Sequence, residues 1–143
     1  MTSEIVTNDS TAIQSTSEFD IPTGFICTVD RNTREGAITV ANALSDAESL
    51  TAIGDEKFVL KDIITAPGVR SQTGEVCTNT YLISDDGHIY MTQSNGIARS
   101  ANFIVGLFAK PDGTVDFGDG ITVNVSSKQL ASGRSLKSLH FTA

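Results

Sequence analysis

Residues 76–93 read VCTNTYLISDDGHIYMTQ, two β-rich runs joined by Asp85-Asp86-Gly87. Asp-Gly between two such runs is the strongest short-range signal for a β-hairpin. A two-residue loop of Asp86-Gly87 predicts the register. Asp85 then faces His88, Ser84 faces Ile89, Ile83 faces Tyr90, Leu82 faces Met91 and Tyr81 faces Thr92. Side chains alternate across a sheet. Thr80, Leu82, Ile89 and Met91 therefore share one face, which suits a barrel interior. Tyr81, Ile83, His88 and Tyr90 share the other, which carries both tyrosines of the chain beside a histidine.

Before this hairpin, residues 57–66 (KFVLKDIITA) form the longest β-like run, ended by Pro67-Gly68. After it, residues 96–109 (GIARSANFIVGLFA) change period. Ile97, Ala101, Ile104, Val105 and Phe108 fall on one side of a helix, with Ser94 and Asn95 as cap candidates. Lys110-Pro111-Asp112-Gly113 stop that helix. Residues 121–130 (ITVNVSSKQL) and 135–141 (SLKSLHF) form a closing hairpin across Ala131-Ser132-Gly133. This element order predicts an OB-fold-like five-stranded barrel with its helix between strands 3 and 4.

Upstream, residues 24–30 (GFICTVD) and 36–42 (GAITVAN) are apolar and β-branched around a polar link, and predict an extra N-terminal β-hairpin. Residues 44–54 (LSDAESLTAIG) predict a short helix capped by Ser45 or Asp46 and stopped at Gly54. The expected fold class is all-β with one or two short helices. Residues 1–20, rich in Ser, Thr and acids, are expected to be a flexible arm. Its short apolar patches, Ile5-Val6 and Ala12-Ile13, suit docking as an added strand. One domain is expected over 21–143.

The 143 residues are 39% hydrophobic, enough for one ordinary core. No apolar run is long enough to span a membrane, and the first residues lack the pattern of a secretory signal, so a cytoplasmic location is expected. Cys27 and Cys77 read as free thiols in strand-like stretches. His88 and His140 are far apart in sequence and there is no CxxC, so no metal and no cofactor is expected. The Asp- and Gly-rich residues 112–120 lack the spacing and closing glutamate of a calcium loop. Neither a phosphate-cradling loop nor a nucleophile elbow is present, and no enzyme is expected.

The net charge is −7, which argues against nucleic acid, but the charges are segregated. Residues 1–20 hold Glu4, Asp9, Glu18 and Asp20 and no base. No acid occurs between Gly87 and Pro111, where Arg99 and Lys110 lie, or from Gly120 onward, where Lys128, Arg134 and Lys137 lie. Local positive charge suits a phosphate backbone. The candidate binding residues are thus the rings Tyr81 and Tyr90 with His88, and the cations Lys61, Arg70, Arg99, Lys128, Arg134 and Lys137. Aromatic rings on an open sheet stack on unpaired bases and tolerate any sequence. The competing expectation is a β-rich structural or protein-interaction module of a phage or cell surface, supported by the negative charge. An oligosaccharide-binding barrel is a third.

Several stretches are similar to the small single-stranded DNA-binding proteins of phages and plasmids of low-GC Gram-positive bacteria. They are NALSDAESL (42–50), DIITAPGVR (62–70), CTNTYLI (77–83), TQSNGIARSANFIV (92–105) and LKSL (136–139). The resemblance spans roughly two-thirds of the chain and rests on the order of the pieces. It implies an OB-like protein that coats single-stranded DNA, RNA being left open, during replication or transfer, without sequence preference. It also implies that Arg70 and Arg99 lie near the strand, and that Gly96 lets the helix start approach the sheet. The chain ends in HFTA, unlike the acidic, Gly-rich tail of better-known bacterial proteins of this function, which puts C-terminal partner recruitment in doubt. Self-association through the N-terminal arm is the further expectation.

Overall fold

The computed structural model describes residues 25–143, so the expected arm lies outside the described residues. The elements in chain order are β1 (Ile26–Cys27), α1 (Arg34–Asp46), β2 (Glu48–Ser49), a single 3-10 turn (Leu50–Ile53), β3 (Phe58–Val69), β4 (Val76–Ser84), β5 (Ile89–Thr92), α2 (Asn95–Phe108), β6 (Ile121–Gln129) and β7 (Ser135–Thr142). All the strands belong to one curled sheet in the order β2-β5-β4-β3-β6-β7, with β1 also paired to β3. β3 is its spine. One edge of β3 pairs with β4 along most of its length. The other edge pairs with β6 at Phe58–Leu60 and with β1 at Ile64–Thr65. The OB-like order and the helix between the third and fourth barrel strands are as expected.

The N-terminal hairpin is a correction. Residues 36–42 are helical, part of α1. Its N-cap is Thr33, whose hydroxyl accepts from the Gly36 N–H at 3.0 Å. Gly36, Val40 and Ala43 are its buried residues, a spacing of one helical face. Burial of that face overrides the β propensity of GAITVAN. Only Ile26–Cys27 of the expected first strand pairs, and it does so with β3. The second expected helix is reduced to the 3-10 turn at Leu50–Ile53, ended at Gly54 (φ 59°) as expected.

The sheet buries both faces. Inside the curl lie Leu60, Ile63, Leu82, Tyr90, Ile97, Ala101, Val123 and Leu139. On the outer face α1 presses Val40 and Ala43 onto Ile64, Tyr81 and Ile83. Cys27 and Cys77 are free thiols. Among the described residues no helix is long and apolar enough to cross a membrane.

One polar atom is out of place in this interior. Thr80 is fully buried, and its hydroxyl has no hydrogen-bond partner. An orphaned buried hydroxyl costs about 1–3 kcal/mol, while valine has the same shape. Thr80→Val is expected to raise the thermal midpoint by a few degrees in a melting experiment; a lower midpoint would show that the hydroxyl is bonded in solution.

Candidate nucleic-acid interface

The β4–β5 turn sets the first feature of the site, and the structure corrects its register. The Ser84 N–H donates to the His88 carbonyl at 2.8 Å, closing a three-residue loop of Asp85, Asp86 and Gly87. Gly87 takes the left-handed conformation (φ 91°) that this loop needs. The Asp86 carboxylate accepts from the Ser84 hydroxyl and from the His88 N–H, which pins the turn. The pairs are Ile83↔Ile89, Leu82↔Tyr90, Tyr81↔Met91 and Thr80↔Thr92. A one-residue slip moves a whole strand's side chains to the other face. Tyr90 therefore points into the barrel and Tyr81 points under α1.

Both rings are 7% exposed, so neither is a stacking platform. Tyr90 is flanked by Phe58 at 5.1 Å and by His88 at 6.1 Å between ring centres, the latter nearly parallel. Burial, then the carboxylates of Asp86, Glu48 and Glu56, hold the Tyr90 phenol above its usual pKa. His88 is exposed, with Nδ1 at 3.4 Å from a Glu48 carboxylate oxygen. This end of the barrel is acidic and repels phosphate. OB-folds bind oligonucleotides on the outer face of strands 2 and 3, which are β4 and β5 here. In this chain α1 covers that face.

The six expected cations divide into two groups. Lys61 donates to the Gly118 carbonyl at 2.9 Å, and Arg70 to the Gln93 carbonyl at 3.1 Å. Both are thus engaged in holding loops to the barrel. Arg99, Lys128, Arg134 and Lys137 are exposed on α2 and on the β6–β7 hairpin. From Asn124 onward β6 has only β7 as a strand partner, so the hairpin extends past the sheet as a two-stranded ribbon. Its tip is closed by the Leu130 N–H donating to the Arg134 carbonyl at 2.8 Å. Lys128 pairs with Leu136 and Ser127 with Lys137, so the two lysines stand on opposite ribbon faces. Among the described residues none of the four forms an ion pair.

The ribbon meets α2 by backbone approach. The Leu139 N–H donates to the Ser100 hydroxyl at 3.1 Å, and that hydroxyl donates to the Gly96 carbonyl at 3.2 Å. A Cβ on Gly96 would fall on the Lys137 carbonyl oxygen, so Gly96 permits the approach, as expected. Beside this contact runs a groove of about 310 Å³ lined by Asn95, Gly96, Arg99, Ser100 and Phe103 of α2 and by Leu136, Lys137 and Ser138 of β7. None of these is acidic. Lys137 also borders a cleft at the open side of the barrel, where Asp55 and Leu50 lie. Phe103 was missed in the sequence. Its signal was there: it is an aromatic residue off the apolar stripe of α2.

Residues 20–141 match the family model of the phi29-type phage single-stranded DNA-binding proteins. The chain belongs to this family. No curated protein and no solved structure matches it. Within this phage single-stranded DNA-binding protein, no group of three or more His, Cys, Asp or Glu side chains among the described residues is placed to hold a metal ion.

The α2 docking makes two glycines opposite in sign. Glycine to alanine in a helix gains up to about 1 kcal/mol where space is free. Gly106 has nothing within reach of a Cβ, so Gly106→Ala is expected to stabilise. Gly96→Ala must push α2 off β7 and is expected to cost about 1–3 kcal/mol. Urea melts of the two variants check this; equal shifts would show that the Gly96 contact is loose.

Proposed function

We propose that this phage-type protein coats single-stranded DNA without sequence preference, in the cytoplasm, during replication or transfer of a phage or plasmid genome. Its role is binding, not catalysis. The observation that carries the reading is the acid-free face formed by α2 and the β6–β7 ribbon, with Arg99, Lys128, Arg134 and Lys137 as phosphate contacts. The net charge does not oppose it. Four of the acids behind the −7 lie in residues 1–20, which leaves −3 on the rest. Contacts to phosphate carry no sequence information, which suits a coating protein.

Four phosphate contacts on a single strand imply a slope of log K against log salt of about −3. Titrating labelled oligo-dT and a mixed-sequence strand at 50 and 200 mM salt is expected to show similar affinities that fall roughly fiftyfold between the two salts. Salt-independent binding, or none, would refute the reading.

Self-association through residues 1–20 is part of the proposal. The arm is acidic and the ribbon is basic, so neighbouring protomers on one strand are complementary. A chain starting at residue 21 is expected to bind a long strand with less cooperativity and a short one with unchanged affinity; full cooperativity would remove the arm from the mechanism.

A further inference from the structure

A protein that grips unpaired DNA by its phosphates still leaves the bases in water, and proteins of this function usually give them aromatic faces. Tyr81 and Tyr90 are buried. Phe25 lies under the Arg31 guanidinium at 5.4 Å, and Phe108 packs edge-on against Phe117 at 5.3 Å. Phe103 is different. It is 64% exposed, the most open aromatic ring among the described hydrophobic residues. It lies one helical turn after Arg99, on the same side of α2. Across the groove stand Leu136, itself 44% exposed, and Lys137. Leu136 is paired with Lys128 on the outer ribbon face. An open ring and an open leucine, in a groove lined by Arg99 and Lys137 and by no carboxylate, suit a ligand that is flat and apolar on its faces and anionic along its edge.

We propose that the groove between α2 and β7 holds an unpaired nucleobase of single-stranded DNA against the ring of Phe103, with the adjoining phosphates on Arg99 and Lys137. The assignment rests on the single-stranded DNA reading above and adds to it where the bases go. Stacking uses the ring face alone and accepts any base, so the groove adds affinity without adding sequence preference. Leu136 forms the apolar floor that keeps water from the far side of the base.

The test uses the full chain and a labelled oligo-dT short enough to hold one protomer. Phe103→Ala and Phe103→Leu are expected to weaken binding roughly tenfold with an unchanged salt slope. Arg99→Ala and Lys137→Ala are expected to lower the salt slope by about 0.7 each. The chain contains no tryptophan, so Phe103→Trp places a single indole in the groove. Its fluorescence is expected to be quenched by oligo-dT, and its affinity to match or exceed that of the parent chain. Because Phe103 is exposed, thermal midpoints serve as the folding control and are expected not to move. If the parent chain binds and Phe103→Ala binds equally well, or the indole stays unquenched, the groove assignment is overturned while the DNA reading stands. If Phe103→Ala instead lowers the sedimenting mass and leaves the short-strand affinity intact, the face joins protomers and the assignment is likewise overturned. If the parent chain ignores oligo-dT, the DNA reading itself falls.

Discussion

The contact of the α2 N-terminal turns with the free edge of β7 is the constraint on which the barrel and its exposed face depend. A curled sheet that does not pair its last strand with its third leaves a row of backbone groups open. Here the Ser100 hydroxyl takes the Leu139 N–H, and Gly96 lets the helix backbone come against the Lys137 carbonyl. The same contact holds Ile97, Ala101 and Ile104 over the core. It also fixes Arg99 and Phe103 beside Leu136 and Lys137, since one helix turn separates the docking residues from the groove residues. Closure of the fold and construction of the groove are one event.

Covering the outer sheet face decides which surfaces of the barrel stay open to solvent. Val40 and Ala43 of α1 bury Tyr81 and Ile83, the β4–β5 turn brings Asp86 to His88, and β2, paired with β5, brings Glu48. Apolar burial and carboxylates remove that side from use by a polyanion. The ribbon carries no acid of its own, and among the described residues its cations form no ion pair. The fold fixes the strands and leaves the coverage of each face to the attached elements.

The strands from β3 to β7, the helix α2 and the Gly54 stop were legible from local signals, namely period, turn residues and caps, and the Gly96 approach from the family resemblance. What was not legible was decided by tertiary contacts. Residues 36–42 are β-branched enough to read as a strand, and the 36, 40, 43 face shows only once there is a sheet for it to cover. The Asp-Gly turn was found, but its length was not. A two-residue loop and a three-residue loop with glycine in the left-handed position differ little in local chemistry, and Asp86 bonding back to Ser84 and His88 selects the longer one. That one residue decides whether Tyr81 and Tyr90 share a face. The expected stacking pair was lost there; of the expected cations, Arg99, Lys128, Arg134 and Lys137 are exposed, while Lys61 and Arg70 hold loop carbonyls.

Charge segregation also explains how an acidic chain serves a polyanion. The relevant quantity is the field at the contact, screened over about 10 Å at moderate salt, and not the sum over the molecule. The carboxylates of the β4–β5 turn and of the 112–119 loop belong to other elements than the ribbon. The ribbon holds its cations on a two-stranded extension that carries no acid from Gly120 to the end. Lys128 and Lys137 stand on its opposite faces, so positive charge is presented on both sides of the ribbon.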